Sequence, residues 1–393
     1  MDFTKRKSGT ASVWAGETER FAFGSHTVPV FSTVTFAYDD LDEWQEVAKG
    51  NKKGDIYSRN TNPTVQVLEE KIRILERAEA ATSFSTGMAA ISNTLFALFR
   101  PGDRVVSIRD TYGGTSLIFL EHLPKFGVEV CLCETGNHEQ MEAEIAKGCS
   151  LVYLETPTNP TMKIIDLMRI SRAAKQVGAI VVADNTFATP INQHPLALGA
   201  DLVIHSATKY LNGHSDTMCG FLCGNRDLVR KVFQFREING ASLHPETAYM
   251  VIRGMKTLEL RVQRQNENAQ AISEFLARHP KVGEVFYPGL ANHKGHDIAR
   301  RQMRGFGGML SFTLKGDYAS VRTLLHNLKF AHMAASLGSV STLVGPPRTT
   351  SHVELSDEQR RQLGIPETLI RYSVGIENTE DLIEDLAQAL EAV

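Results

Sequence analysis

Cysteine is scarce in this 393-residue chain. The five cysteines, Cys131, Cys133, Cys149, Cys219 and Cys223, include no CxxC pair. So odd and sparse a set excludes a disulfide framework and fits a reducing compartment. Thirteen histidines occur without an HExxH or similar ligand spacing, so no metal is expected. An excess of charge of one sign is missing too. With 42 Lys plus Arg against 45 Asp plus Glu, no strong field exists to hold a polyanion, and nucleic acid is not an expected partner. No run approaches the ~18 consecutive apolar residues of a membrane span, and the basic start MDFTKRKSGT has no apolar stretch behind it. A cytoplasmic protein is the expectation. Internal repeats and low-complexity tracts are absent, and no GxGxxG follows a strand-like run, which leaves a nicotinamide dehydrogenase with little support.

What is present is the composition of a folded enzyme, 42% apolar and 22% charged, in a chain too long for one compact core. Short apolar runs at 103–108, 128–133, 150–154, 179–183 and 202–205 read as strands buried on both faces. Helical patterns lie between them, such as Leu167 to Val177, closed by Gly178. This alternation predicts βαβ units and an α/β fold with a mostly parallel central sheet. The first 62 residues have little periodicity and are expected to form an extended arm. Residues 63–257 are expected to form the large domain, the one that would carry the ligand site. Residues 258–393 read as a smaller α+β domain: a long polar helix ending near His279, strands near 309–314 and 369–374, and a last helix capped at Asn378.

Three predicted strands lead into polar residues that a core would not tolerate unpaired: Asn159, Asp184 and Lys209. Ligands of open α/β sheets bind beyond the carboxyl ends of the strands, so all three point toward one site. Asp184 ends the apolar run AIVVADNTF, where a buried carboxylate needs a cationic partner or a turn to cap. In HSATKYLNGHSD, an extended backbone would set Ser206 and Thr208 on one face and Lys209 on the other. Hydroxyls suit a phosphate, and a desolvated amine can form an imine with an aldehyde. In SFSTGMAA a Ser/Thr/Gly turn opens a helix whose first N–H groups, at Gly87 and Met88, can bind phosphate, although an ordinary N-cap at Thr86 explains the same pattern. Tyr112, in DTYGGT, is placed to stack on a ring, to pass a proton, or simply to pack.

The order of these pieces resembles the pyridoxal-phosphate (PLP)-dependent cysteine and methionine metabolism, or trans-sulfuration, family. That family includes cystathionine γ-synthases, cystathionine γ-lyases, methionine γ-lyases and O-acylhomoserine sulfhydrylases. The likeness runs from YSRNTNPT through STGMAA, DTYGGT, ETPTNP, ADNTF and HSATKYLNGHSD to AASLGSV and LIRYSVGIEN. It implies a PLP-dependent transferase fold of type I, in which Lys209 carries the cofactor as an imine and Asp184 pairs with the ring nitrogen. Tyr112 would stack on the ring and Asn159 contact the ring hydroxyl. Gly87, Met88, Ser206 and Thr208 would hold the phosphate, helped by Tyr57 and Arg59 from a neighbouring subunit of a homotetramer. Arg371, with Ser336 near it, would bind the substrate carboxylate.

The implied activity is γ-elimination or γ-replacement on an amino acid such as an activated homoserine, a thioether or canavanine. β-Elimination, as in cystathionine β-lyases, and a catalytically silent PLP-binding regulator remain as alternatives. Three positions depart from the family pattern. Gly114 stands where methionine γ-lyases carry a cysteine. Ser341 replaces a glutamate that lies close to the substrate side chain in many members. Thr349 to His352 reads TTSH in place of Ser-Met-Thr-His.

Overall fold

The computed structural model describes residues 3–17, 21–353 and 356–393. Its centre is a seven-stranded sheet. In chain order the strands are β1 (Ala80–Phe84), β2 (Arg104–Ile108), β3 (Glu129–Cys133), β4 (Leu151–Glu155), β5 (Ile180–Asp184), β6 (Leu202–Ser206) and β7 (Gly220–Gly224). Across the sheet they run β1-β7-β6-β5-β4-β2-β3. The block from β3 to β6 is parallel, and β7 lies antiparallel to both β6 and β1.

Alternation along the strands explains why the sheet is buried on both sides. Tyr153, Val182, Leu202 and Ile204 face one apolar cluster with the helix Gly87–Leu98, while Val152, Leu154, Val181 and Ala183 face another containing Met141, Ile145, Leu167 and Ile170. The five strands expected from sequence are all present, displaced by one residue at some ends. β1 and β7 escaped that reading. Their sequences, AATSF and GFLCG, are short of β-branched residues, and only pairing with neighbours makes them strands.

The arm expectation needs correction, because the N-terminal region is neither fully extended nor detached. Helix α1 (Ser8–Trp14) packs on the large domain, with Phe3, Ala11, Ala15 and Val28 entering the same core as Leu68, Ile72 and Met255. Glu17 anchors it through Lys71 at 3.1 Å and Lys256 at 2.6 Å. A second short helix, α2 (Leu41–Ala48), starts at Asp40, whose side chain accepts from the Glu43 N–H. From residue 21 to residue 58 the chain is mostly exposed. Helix α3 (Pro63–Glu76) then begins, capped by Asn62 with proline in its first turn, and α4 (Gly87–Leu98) follows β1.

Beyond the long helix Leu258–Arg278, a second sheet of five strands has the order β10-β11-β12-β9-β8. These are β8 (Val282–Phe286), β9 (Met309–Leu314), β10 (His332–Met333), β11 (Leu343–Gly345) and β12 (Leu369–Ser373). The last helix, Thr379–Glu391, buries Leu382, Leu386 and Leu390. Asn378 occupies its N-cap position, but its side chain makes no capping hydrogen bond, so the expected cap is one of position only. Among the described residues no helix is long and apolar enough to cross a membrane. Among them, too, no group of three or more His, Cys, Asp and Glu side chains is arranged to hold a metal ion.

Candidate active site

The carboxyl ends of β4, β5 and β6 open into a cavity of about 380 Å³, closed on its far side by residues before β11 and by β12. Gly87, Met88, Tyr112, Asn159, Asp184, Ser206, Thr208, Lys209, Ser336 and Arg371 all line it.

Asp184 is the last residue of β5 and pairs in register with Glu155, the last residue of β4. Register therefore sets two acids side by side. Asp184 accepts from the Thr186 N–H at 2.9 Å, and the Tyr153 hydroxyl stands 3.5 Å from its other oxygen. Burial pushes its carboxyl above the usual range, against the opposing bonds from Thr186. Glu155 is raised much further, first by burial and then by the nearby charge of Asp184. No Lys, Arg or His among the described residues forms an ion pair with either acid. With Glu155 holding its proton, Asp184 is the acid of the pair that calls for a cation, and none of the described residues supplies one.

The phosphate-like end of the cavity is built by close approach. Gly87 begins α4, and a Cβ placed there would lie 2.6 Å from Ser206 Cβ and 2.7 Å from its Oγ, so only glycine fits. Thr86 does act as N-cap, accepting from Ala89 N–H at 2.9 Å. The N–H groups of Gly87 and Met88 precede any intrahelical acceptor and are free by geometry for an anion. Both readings of this turn hold together. The extended backbone expected through 206–209 does not occur. The strand ends at Ser206 and a turn follows, with Lys209 N–H donating to Ser206 O at 3.1 Å, because the chain must reverse into β7. That turn brings both hydroxyls and the amine to one cavity instead of to opposite faces.

Lys209 Nζ donates to Ser336 Oγ at 3.0 Å. Burial, with the positive charge of Arg371 adding to it, pulls this amine down to about 8. Arg371 lies in β12, every residue of which is buried, and burial lowers it to about 10. Its Nη2 donates to Ser336 O at 2.8 Å and its Nη1 to Asn159 Oδ1 at 3.3 Å. No carboxylate pairs with it among the described residues. Ser336 holds both cations while its backbone sits at φ +89°, a strained conformation for a residue with a side chain.

Tyr112 is 46% exposed, and its backbone N–H donates to Glu155 Oε2 at 2.9 Å. A side chain at Gly114 would press on Met88 Sδ at 2.9 Å and Tyr112 Cε1 at 3.1 Å, so the glycine leaves the tyrosine ring its room. Thr350 and Ser351 of the TTSH stretch reach the cavity wall. Three expected residues are not brought in. Tyr57 and Arg59 lie exposed on the arm, with Arg59 Cζ 5.1 Å from the centre of the Tyr57 ring. Ser341 lies off the cavity lining, bonded to Ser339 through their hydroxyls at 3.3 Å. Glu155 and Thr186 were missed by the sequence reading. Glu155 closes a strand in the ETPTNP motif as Asp184 does in ADNTF, and that parallel was the available signal.

The residues present fit PLP. Asp184 suits its protonated ring nitrogen, the Gly87–Ser206 cradle its phosphate, and the depressed amine of Lys209 its aldehyde.

Comparison with known proteins agrees. Residues 9–391 match the family model described as Cys/Met metabolism PLP-dependent enzyme. The chain is 43% identical over 396 residues to an L-methionine gamma-lyase of Fusobacterium nucleatum subsp. polymorphum, covering 100% of both. It is 41% identical to a cystathionine gamma-lyase of Bacillus subtilis, covering 98% of this chain and 100% of that one. A crystal structure of cystathionine gamma synthase from Xanthomonas oryzae pv. oryzae, in complex with aminoacrylate and cysteine, superposes with a TM-score of 0.93 at 38% identity over 98% of each chain.

Proposed function

The chain belongs to the Cys/Met metabolism PLP-dependent enzyme family, and from that membership we propose that it catalyses γ-elimination or γ-replacement on an amino acid with a leaving group at Cγ. The observation that carries the proposal is one cavity holding a depressed lysine amine, a buried acid pair and an arginine that form no ion pair among the described residues, and an anion cradle. PLP, when bound, supplies the electron sink for charge developing next to the amino group.

Arg371 offers two guanidinium nitrogens to the substrate carboxylate, a bidentate match that replaces its contacts with Asn159 and Ser336. With the carboxylate fixed there, Lys209 Nζ is the base within reach of Cα, and a flexible four-carbon stem lets the same amine carry a proton to or from Cβ. Ser336 Oγ holds that amine near its working position. Tyr112, at the open side of the cavity, is the acid for the departing γ-group. Asp184 maintains the charge on the cofactor ring, and Gly87, Met88, Ser206 and Thr208 seat its phosphate.

Tyr57 and Arg59 act in the cavity of a neighbouring subunit in this reading. They sit on the exposed arm, outside their own chain's cavity, and Arg59 is a phosphate partner by chemistry. The assembly is then a homotetramer of paired dimers. Mixing inactive Arg59→Ala and Lys209→Ala subunits should restore partial activity in hybrids. No recovery in demonstrably mixed oligomers would count against sharing.

The reaction class is tested with a panel of O-succinyl- and O-acetylhomoserine, cystathionine, methionine and canavanine. 2-Oxobutyrate, pyruvate and new amino acids are measured together in deuterium oxide. Deuterium at Cβ with 2-oxobutyrate or a replacement product is expected. Pyruvate alone, from substrates that also carry a γ-leaving group, would move the enzyme to β-elimination.

A further inference from the structure

Behind the cavity, on the opposite face of the sheet, the carboxyl of Glu76 is fully buried at the last residue of α3. A carboxyl at that end of a helix meets the negative pole of the helix dipole and, being dry, needs strong partners. It has two. Glu76 Oε1 lies 2.5 Å from His205 Nε2 and accepts from Asn185 Nδ2 at 2.9 Å. Both partners are completely buried.

Their places in the chain give this contact its meaning. Asn185 directly follows Asp184, and His205 directly precedes Ser206. Side chains alternate across a sheet. Asp184 registers with Ile204, whereas His205 registers with Phe221, which packs among Leu68 and Ile72 of α3. One carboxyl oxygen on the back face thus grips two strands at the points where their front faces carry the ring-nitrogen acid and the phosphate hydroxyl. The grip is stiffened locally. The Asn185 side chain also donates to the Gln193 backbone O and accepts from Gln193 Nε2, both at 3.0 Å, and its backbone N–H donates to Ile204 O at 2.9 Å. The other oxygen, Oε2, has no hydrogen-bond partner and stands 3.9 Å from His194 Nδ1.

We propose that Glu76 is a positioning residue for the cofactor, clamping the ends of β5 and β6 through Asn185 and His205 and so setting the distance between Asp184 and Ser206. This rests on the reading that the cavity holds PLP with its ring at Asp184 and its phosphate at Ser206. The clamp has two arms, one behind each end of the cofactor, and that division makes it testable.

The experiment measures the dissociation constants of PLP and of phosphate-free pyridoxal on the cofactor-stripped full chain. Thermal unfolding of the stripped protein is followed alongside. Glu76→Ala is expected to weaken PLP at least about tenfold, the scale of a buried group left without its bond. Glu76→Gln keeps an acceptor at Oε1 and should remain within about threefold of wild type. His205→Ala should weaken PLP about fivefold or more while leaving pyridoxal within about twofold, and Asn185→Ala should weaken both ligands by a similar factor. The two single-arm variants decide the matter even if Glu76→Ala does not fold. Affinities within about threefold of wild type in all of the folded truncations, with only the unfolding temperature lowered, would make the cluster a structural filler and overturn the proposal. A wild-type chain that binds no PLP would overturn the reading of the cavity itself, and this inference with it.

Discussion

Two hollows in this molecule invite comparison. The larger, about 840 Å³, opens between the helices His138–Ala146 and Leu167–Gln176, and the smaller, about 380 Å³, lies at the ends of β4 to β6. Charge separates them better than volume does. In the larger, Arg169 is matched by Glu139 at 2.9 Å and Glu142 at 2.7 Å, and Asp166 by Arg301 at 3.1 Å. In the smaller, among the described residues, no cation pairs with Asp184 or Glu155 and no anion with Arg371. Charges satisfied in place have nothing to offer a ligand, whereas buried charges without partners mark where one must come. The site is located by what is unsatisfied, not by space.

The comparison breaks most directly at Lys209. Lys209→Ala should abolish the visible absorption of the imine and cut turnover by at least about a thousandfold, read from the spectrum and from keto-acid release. Borohydride reduction and peptide mapping give the complementary result. A reduced cofactor on another lysine would show that the small cavity had been misread.

Arg371→Lys comes next. The charge stays but the fork is lost, and kcat/KM should fall about a hundredfold, mainly through KM. Initial-rate kinetics with O-acetylhomoserine checks it, and an unchanged KM would mean that the carboxylate binds elsewhere.

A third test exploits the depressed amine in the cofactor-free protein. The unfolded pKa of lysine is near its ordinary 10.5, and the folded value is about 8. Between these the unfolded chain holds the extra proton, so this group's contribution to stability rises with pH from about 8 to 10.5 and is unfavourable by a constant amount below 8. Lys209→Met should therefore stabilise the stripped protein at neutral pH, with the gain shrinking through that window. Thermal unfolding across pH measures it, and a pH-independent difference would assign the effect to packing alone.

The smallest effect is expected in the larger hollow. Arg169→Ala removes exposed pairs and should shift the melting temperature by no more than about 2 °C, with kcat/KM within about twofold. A tenfold loss of activity there would give that cleft a role and undo the contrast.

Much of the site was legible because it is carried by strand ends. Asp184 closes an apolar run, and Gly87 sits where a helix starts; both are local patterns of alternation and capping. Glu155 was not legible in the same way, although it too ends a strand, since a glutamate before Thr-Pro reads equally as an exposed turn. The turn at 207–210 was misread as strand because Ser206, Thr208 and Lys209 have no local breaker among them. The packing of α1 was missed for want of a periodic apolar face in so short a segment.

The sequence by itself determined the strands β2 to β6 and the capped helices, because burial on both faces of a strand, a proline in a first turn or an asparagine cap act over a few residues. It also carried the ordered motifs by which the family is recognised. Only the tertiary structure decided how the groups act on one another. Register placed Glu155 beside Asp184, a strand 212 positions away brought Arg371 to Asn159, and the same folding drew Ser336 onto Lys209. Desolvation and Coulomb interaction depend on distance in space and on the water left between groups. Neither quantity exists until the chain has closed around the site.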